Sequence, residues 1–174
     1  MRFNFNPTKT CQVAALLLVR AGGHMDYLKL IKLMYIAERE ALLARAWPVT
    51  GDALVSMKHG PVLSGTLDLI KGKRPEPYWA AHIERFGKHE VRLRDDPGRQ
   101  ELADTEVKLL DSVFDRFGAM PTFALRDHCH TFPEWRDPGE SSLPIDLDDI
   151  GASADSLRES LEVAGIHRLL GAVS

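Results

Sequence analysis

Apolar residues recur with helical spacing along most of the chain. A first helix is predicted to begin at Asn6-Pro7, since asparagine caps helices and proline suits their first turn, and to end at Gly22-Gly23. A second helix is predicted from Asp26 to about Ala46. Further helices are predicted over residues 62–71 after Gly60-Pro61, over residues 104–117 with Asp104 as the cap, from Pro121 to about Thr131, and over residues 153–170.

Strand spacing replaces helical spacing between residues 79 and 94. Residues 83–86 and 91–94 alternate apolar and charged side chains around Gly87-Lys88, which predicts a β-hairpin with one solvated face. Residues 53–57 are predicted to form a short extended piece, and residues 72–77 an exposed linker. The predicted fold class is mainly α (α+β): a single domain over residues 1–174, in which a helical domain surrounds a buried central helix and carries a small antiparallel β-hairpin.

Composition narrows the class of protein further. With 174 residues, 44% hydrophobic and 27% charged, the chain has a globular composition, which excludes disordered and coiled-coil proteins. Two cysteines, Cys11 and Cys129, make no disulfide framework and indicate a reducing compartment. No apolar run reaches the roughly 20 residues that a membrane-spanning helix needs. We therefore expect a cytoplasmic protein that does not enter a membrane.

Charge is distributed unevenly along the chain. The whole chain has a net charge of −3, but residues 1–94 carry +7 and residues 95–174 carry −10. Either the two halves face and neutralise each other, or the basic half presents a surface to an acidic partner. No run of consecutive lysines and arginines marks a nucleic-acid-binding arm, so we do not expect a nucleic-acid partner.

The second helix carries apolar residues on all sides and is therefore predicted to be the buried central one. Lys32 lies among them, and a buried ammonium needs a carboxylate or several carbonyls as partners. Glu38 and Asp52 are the candidate carboxylates. Three interpretations stay open: Lys32 reaches water along the helix surface, it belongs to a buried network that positions a binding surface, or it acts as a base of lowered pKa.

Two other stretches contain side chains that could bind an anion or a metal ion. Lys58 and His59 precede the helix predicted after Gly60-Pro61, where free N–H groups could hold a phosphate or a partner's carboxylate; the alternative is a structural turn. His128 and His130 lie two residues apart on a predicted helix and point in different directions, so we do not expect a metal site. Instead, one histidine and Trp135 are predicted to pack and to form hydrogen bonds at the helix end.

The runs of residues 33–40, 47–52, 57–64 and 130–135 together resemble the Panacea domain, also called the SocA-like antitoxin or phage-associated GepA-like domain. The resemblance covers about residues 8–150. It implies an antitoxin of a type II toxin–antitoxin system, without catalytic residue, metal or cofactor, whose partner is a protein toxin encoded by the adjacent gene. A protease or chaperone is a further candidate partner. The candidate partner-binding or structural residues are Lys32, Tyr35, Glu38, Arg39, Asp52, Lys58, His59, Gly60, Pro61, His130 and Trp135.

Two rival functions remain open at this point. The first two helices, joined by Gly22-Gly23-His24, have the layout of a DNA-binding helix-turn-helix, which would make the chain a transcriptional autoregulator. An enzyme using Lys32, Glu38 and His59 is the other rival. For protein binding, we expect charged contacts around Lys58-His59 and residues 71–74, and aromatic anchors chosen from Trp47, Tyr78, Trp79 and Trp135.

Overall fold

The computed structural model of the chain describes residues 3–151. The helices are α1 (Pro7–Arg20), α2 (Tyr27–Arg45), α3 (Ser64–Ile70), α4 (Pro77–His82), α5 (Asp104–Phe117), α6 (Thr122–Cys129) and α7 (Leu147–Ile150). The strands are β1 (His24–Asp26), β2 (Leu54–Met57), β3 (Gly60–Leu63), β4 (Ile83–Phe86), β5 (Glu90–Leu93) and β6 (Leu143–Pro144). The mainly helical α+β class is thereby confirmed. The helix predicted over residues 153–170 lies outside the described residues.

The central position of α2 is confirmed. The Asp26 side chain caps it by accepting the N–H of Leu28 at 2.7 Å, and the helix ends at Ala46 in the left-handed conformation. Helices α1, α5 and α6 and strand β3 all pack against it. Its buried residues are Leu30, Ile31, Lys32, Leu33, Met34, Tyr35, Ile36, Ala37, Glu38, Ala41 and Leu42, so that α2 forms the middle of the core.

Helix α1 also follows the prediction. The Asn6 side chain accepts the N–H of Lys9 at 2.9 Å, Pro7 occupies the first turn, and the helix ends at Arg20 before the predicted glycine pair. It packs against α2, α4 and α5. Within residues 3–151, no helix combines the length and the apolar character that crossing a membrane requires.

Two small antiparallel sheets flank the helices. One has the strand order β1-β5-β4 and contains the predicted hairpin, in which Glu84 pairs with Arg92 and Arg85 with Val91. The other has the order β3-β2-β6. Strands β1 and β6 and the short helix α7 were not predicted, because segments this short carry no measurable periodicity. Helix α4 extends to His82, so the strand spacing predicted from residue 79 is wrong at its start.

The helix predicted over residues 62–71 is too long, and this prediction is wrong at its start. Gly60 and Pro61 belong to β3, where they pair with Met57 and Ser56 of β2, and the helix begins only at Ser64. Proline is compatible with an edge strand because its missing N–H leaves no ladder partner unsatisfied. The segment 58–63 is therefore the second half of a tight β-hairpin.

Candidate functional site

Lys32 lies at the centre of the candidate site. Its side chain is 0% exposed, which excludes the interpretation that it reaches water. The ammonium donates to the backbone carbonyl of Pro61 at 2.7 Å, so the prediction of a Glu38 or Asp52 partner is wrong. Burial lowers the pKa of Lys32 to about 7, and the positive charge of Arg126 acts in the same direction.

Gly60 brings Lys32 and His130 together. Its φ of +93° is a conformation that favours glycine, and a Cβ there would lie 2.9 Å from Lys32 Nζ and 3.2 Å from His130 Cδ2. The His130 ring stacks on Trp135 at 4.1 Å, and the indole N–H of Trp135 donates to the Met57 carbonyl at 3.0 Å. The predicted packing of a histidine with Trp135 at the end of α6 is thus confirmed.

The Nε2 atom of His130 is buried and has no hydrogen-bond partner among residues 3–151. Burial lowers the pKa of His130, and the nearby Lys32 lowers it further. No group of three or more histidine, cysteine or carboxylate side chains in the described part of the chain is arranged to hold a metal ion.

A second cluster on α2 joins Tyr35 and Arg39 to Glu134, a carboxylate that the sequence reading missed. Glu134 is 2% exposed and accepts the Tyr35 hydroxyl at 2.9 Å and the Arg39 Nε–H at 2.7 Å. The Arg39 guanidinium also covers the Phe132 ring at 4.4 Å. The position of Glu134 between two aromatic residues, Phe132 and Trp135, was the signal that could have identified it as buried.

Glu38 organises the loop that follows α2. Its carboxylate accepts the backbone N–H groups of Val49 at 3.1 Å, Thr50 at 2.9 Å and Gly51 at 3.0 Å, and also the Thr50 hydroxyl at 3.1 Å. Burial raises the pKa of Glu38 to about 7, while these hydrogen bonds act against the rise. This carboxylate therefore fixes the course of residues 49–51.

Asp52 does the same for the start of α3. Its carboxylate accepts the N–H of Gly65 at 2.8 Å and the N–H and hydroxyl of Thr66, both at 2.7 Å. These are donors of the first turn, which a helix cannot satisfy internally. Of the two interpretations of the segment before this helix, a structural turn or an anion site, the hydrogen bonds of Asp52 favour the turn, because this carboxylate already supplies the negative charge.

Lys58 and His59 lie elsewhere, exposed in the turn between β2 and β3. Lys58 forms an ion pair with Glu140. Among the described residues, no hydrogen bond joins any two of Lys32, Glu38 and His59, the three residues of the enzyme hypothesis. The helix-turn-helix hypothesis also meets a difficulty, because residues 30–38 of α2 are all buried by the other described elements, whereas a recognition helix needs an open face for the DNA groove.

The four candidate aromatic anchors differ in exposure. Trp47 is 39% exposed and packs edge-on against Phe3. Trp79 is buried, the hydroxyl of the half-buried Tyr78 accepts from Gln12 at 3.1 Å, and Trp135 stacks as described. Trp47 is thus the aromatic side chain of this group that remains most available to a partner.

Comparison with known protein families gives a match to the central part of the chain. Residues 30–136 match the family described as Antitoxin SocA-like, Panacea domain, over more than half of the 174 residues. The matched region contains every candidate residue from Lys32 to Trp135, and it confirms the resemblance drawn from the sequence. Neither the search of curated proteins nor the search of solved structures found a match.

Proposed function

Because this chain belongs to the SocA-like antitoxin family defined by the Panacea domain, we propose that it is the antitoxin of a type II toxin–antitoxin pair and neutralises a protein toxin by direct binding. The match over residues 30–136 is the observation that carries the proposal. We propose that the toxin is encoded by the adjacent gene and that the two proteins meet in the cytoplasm. In this role the chain has no catalytic activity of its own.

The buried polar residues support a binding role because their hydrogen bonds fix backbone segments that lie next to exposed residues. Trp47 precedes residues 49–51, and Lys58 and His59 precede β3. Glu38 holds residues 49–51, Asp52 holds the start of α3, and Lys32 holds β3. A surface fixed in advance loses less conformational entropy when a partner binds. We infer that these buried polar groups contribute to partner binding indirectly, through the backbone segments that they position.

The exposed charges suggest where the partner makes contact. Lys58 and His59 lie exposed at the β2–β3 turn, and residues 71–74 form an exposed segment with three cationic side chains. Charged groups at an interface rim mainly raise the rate of association, whereas buried aromatic side chains contribute most of the affinity. We propose that these cations and Trp47 belong to the toxin-facing surface.

Co-expression with the product of the adjacent gene tests the proposal. Expression of that product alone should arrest growth, and co-expression of this chain should restore it. A tag on the chain should then recover both proteins in one complex by size-exclusion chromatography. Continued growth arrest in cells that contain the soluble chain would contradict the antitoxin role for this pair.

The same cells distinguish two modes of neutralisation. If the chain masks the toxin, the toxin level stays constant and the complex accumulates. If it delivers the toxin to a protease, an immunoblot should show a falling toxin level in normal cells and a stable level in protease-deficient cells. Both results are compatible with direct binding, and they separate sequestration from delivery to a protease or chaperone.

A further inference from the structure

A groove of about 830 Å³ lies between the residues that precede α1, strand β2 and the segment around α7. Phe3, Phe5, Leu54, Val55 and Ile145 contribute apolar surface to its wall. Leu54 and Ile145 are nearly buried in the core, and Phe3 and Phe5 pack against it from outside. The groove is large enough to hold several side chains of another polypeptide.

Acidic residues dominate the charged rim of this groove. Asp68 comes from α3, and Asp146, Asp148 and Asp149 lie in and just before α7. Asp149 pairs with Arg136 at 3.0 Å, whereas the other three enter no ion pair within residues 3–151. The rim therefore presents negative charge that its own surroundings leave largely uncompensated.

Arg74 shows how a cation can bind at this groove. It is the only cationic side chain that lines the groove in the described part of the chain, and its guanidinium carbon lies 4.7 Å from the centre of the Phe5 ring. A guanidinium over an aromatic face is attracted by the ring electrons. An aromatic wall beside an acidic rim thus suits arginine or lysine side chains that are flanked by apolar ones.

We propose that this groove receives a basic segment of the toxin, with its cations toward the aspartates and an apolar side chain against Phe3 and Phe5. The inference rests on the proposed function and adds the chemistry of the partner's contact. The charge of residues 152–174, with three acidic and two basic side chains, makes them a less suitable occupant. A second copy of the chain is an outcome of the test below.

A charge-reversal experiment tests the groove. The double variant Asp68→Lys with Asp148→Lys reverses the rim, and Glu101→Lys with Asp127→Lys makes the same change in net charge at exposed positions outside the groove. Affinity for the purified toxin is measured by biolayer interferometry, and thermal unfolding shows that each variant is folded. The groove variant should bind about 100-fold more weakly and the control within about threefold of the wild type.

A second double variant keeps the test valid if the charge-reversal variant does not fold. Asp68→Asn with Asp148→Asn removes charge without introducing repulsion. Its complex with the toxin should be weaker at low salt and less sensitive to added salt than the wild-type complex, because fewer opposite charges meet across the interface. Equal salt sensitivity of the two complexes would overturn the inference.

The remaining outcomes separate this inference from the antitoxin role. If the wild type binds the toxin and the groove and control variants bind equally well, the inference is wrong and the antitoxin role stands. If the wild type does not bind, both fail. Light scattering of the chain without toxin gives its oligomeric mass. A mass that differs between the wild type and the groove variant would identify a second copy as the occupant. Competition by a synthetic peptide of residues 152–174 identifies the chain's own tail; either result overturns the inference.

Discussion

The Nζ atom of Lys32 lies 2.7 Å from the carbonyl oxygen of Pro61, and this hydrogen bond joins the central helix to β3. A carbonyl carries no full charge, so it stabilises an ammonium less than a carboxylate does. Burial therefore dominates and lowers the pKa of Lys32 to about 7. The core of the molecule consequently holds an amine that changes its protonation state near neutral pH.

The first prediction concerns the pH dependence of stability. Between pH 7 and pH 10.5 the unfolded chain keeps a proton on Lys32 that the folded chain has released. The contribution of Lys32 to the free energy of unfolding should therefore rise by roughly 4 kcal/mol as the pH increases across this range. Urea unfolding of the wild type and of Lys32→Met at several pH values measures this difference.

Lys29→Met is the matched control for that experiment, because it removes a partly exposed lysine from the same helix. It should keep the pH-dependent rise, whereas Lys32→Met should lose it. Identical pH profiles for the wild type and Lys32→Met would show that Lys32 titrates alike in the folded and the unfolded chain.

The second prediction concerns Gly60, which has a positive φ and little free space. Gly60→Ala adds both backbone strain and a contact with Lys32 Nζ at 2.9 Å. Gly72→Ala adds strain alone, since nothing lies within 4 Å of its Cβ position and its φ is +69°. Thermal unfolding should show Gly60→Ala to be less stable than Gly72→Ala by about 1–3 kcal/mol.

A double variant tests whether Lys32 causes that difference. Lys32→Met removes the charged end of the side chain that the new methyl group would meet. Gly60→Ala should therefore cost less stability in the Lys32→Met background than in the wild type. Additive effects of the two changes would place the cause of the Gly60→Ala defect elsewhere.

The third prediction concerns Glu38. In Glu38→Gln an amide N–H₂ replaces one acceptor oxygen and faces the N–H groups of residues 49–51. Leaving these buried donors unsatisfied should lower the free energy of unfolding by about 2–4 kcal/mol. Glu40→Gln, which removes one partner of a partly exposed pair with Arg116, should cost under about 1 kcal/mol in the same denaturant assay.

The fourth prediction concerns the charge of Glu134. Arg39→Met removes the cation that pairs with this buried carboxylate at 2.7 Å. The uncompensated charge should destabilise the fold by about 3 kcal/mol at neutral pH. Tyr35→Phe removes only one hydrogen bond to Glu134 and should cost about 1 kcal/mol. Calorimetry measures both losses of stability. Equal losses for Arg39→Met and Tyr35→Phe would indicate that the charge of Arg39 contributes nothing beyond a hydrogen bond.

The sequence predicted the long elements well because their patterns extend over many residues. The caps at Asn6 and Asp26 and the unbroken apolar surface of α2 located α1 and α2, and the alternation around Gly87 located the β4–β5 hairpin. Strand β1 could not be predicted in this way, since its three residues are strand only by pairing with β5. Such pairing is a tertiary interaction that local propensity does not encode.

The candidate site shows the same limit. The sequence indicated that Lys32, Gly60 and His130 had special environments, and the structure brings these three together. The sequence could not indicate the partner of Lys32, because that partner is a backbone carbonyl and every residue has one. The partners of Glu134, Tyr35 and Arg39, could not be predicted either, because they lie far away in the sequence, although the neighbouring aromatic residues marked this carboxylate as buried.

The loop of residues 49–52 has a consequence for how the molecule opens. Thr50 accepts the N–H of Asn6 at 3.0 Å, while Glu38 and Asp52 tie the same loop to α2 and α3. Separating any one of these attachments loosens the others, so this corner of the protein should exchange its amide hydrogens as one cooperative unit. Phe5 and Asp68, on two walls of the groove, lie in the segments that this loop holds by hydrogen bonds. Local unfolding of the loop should therefore open the groove, and refolding should restore its shape.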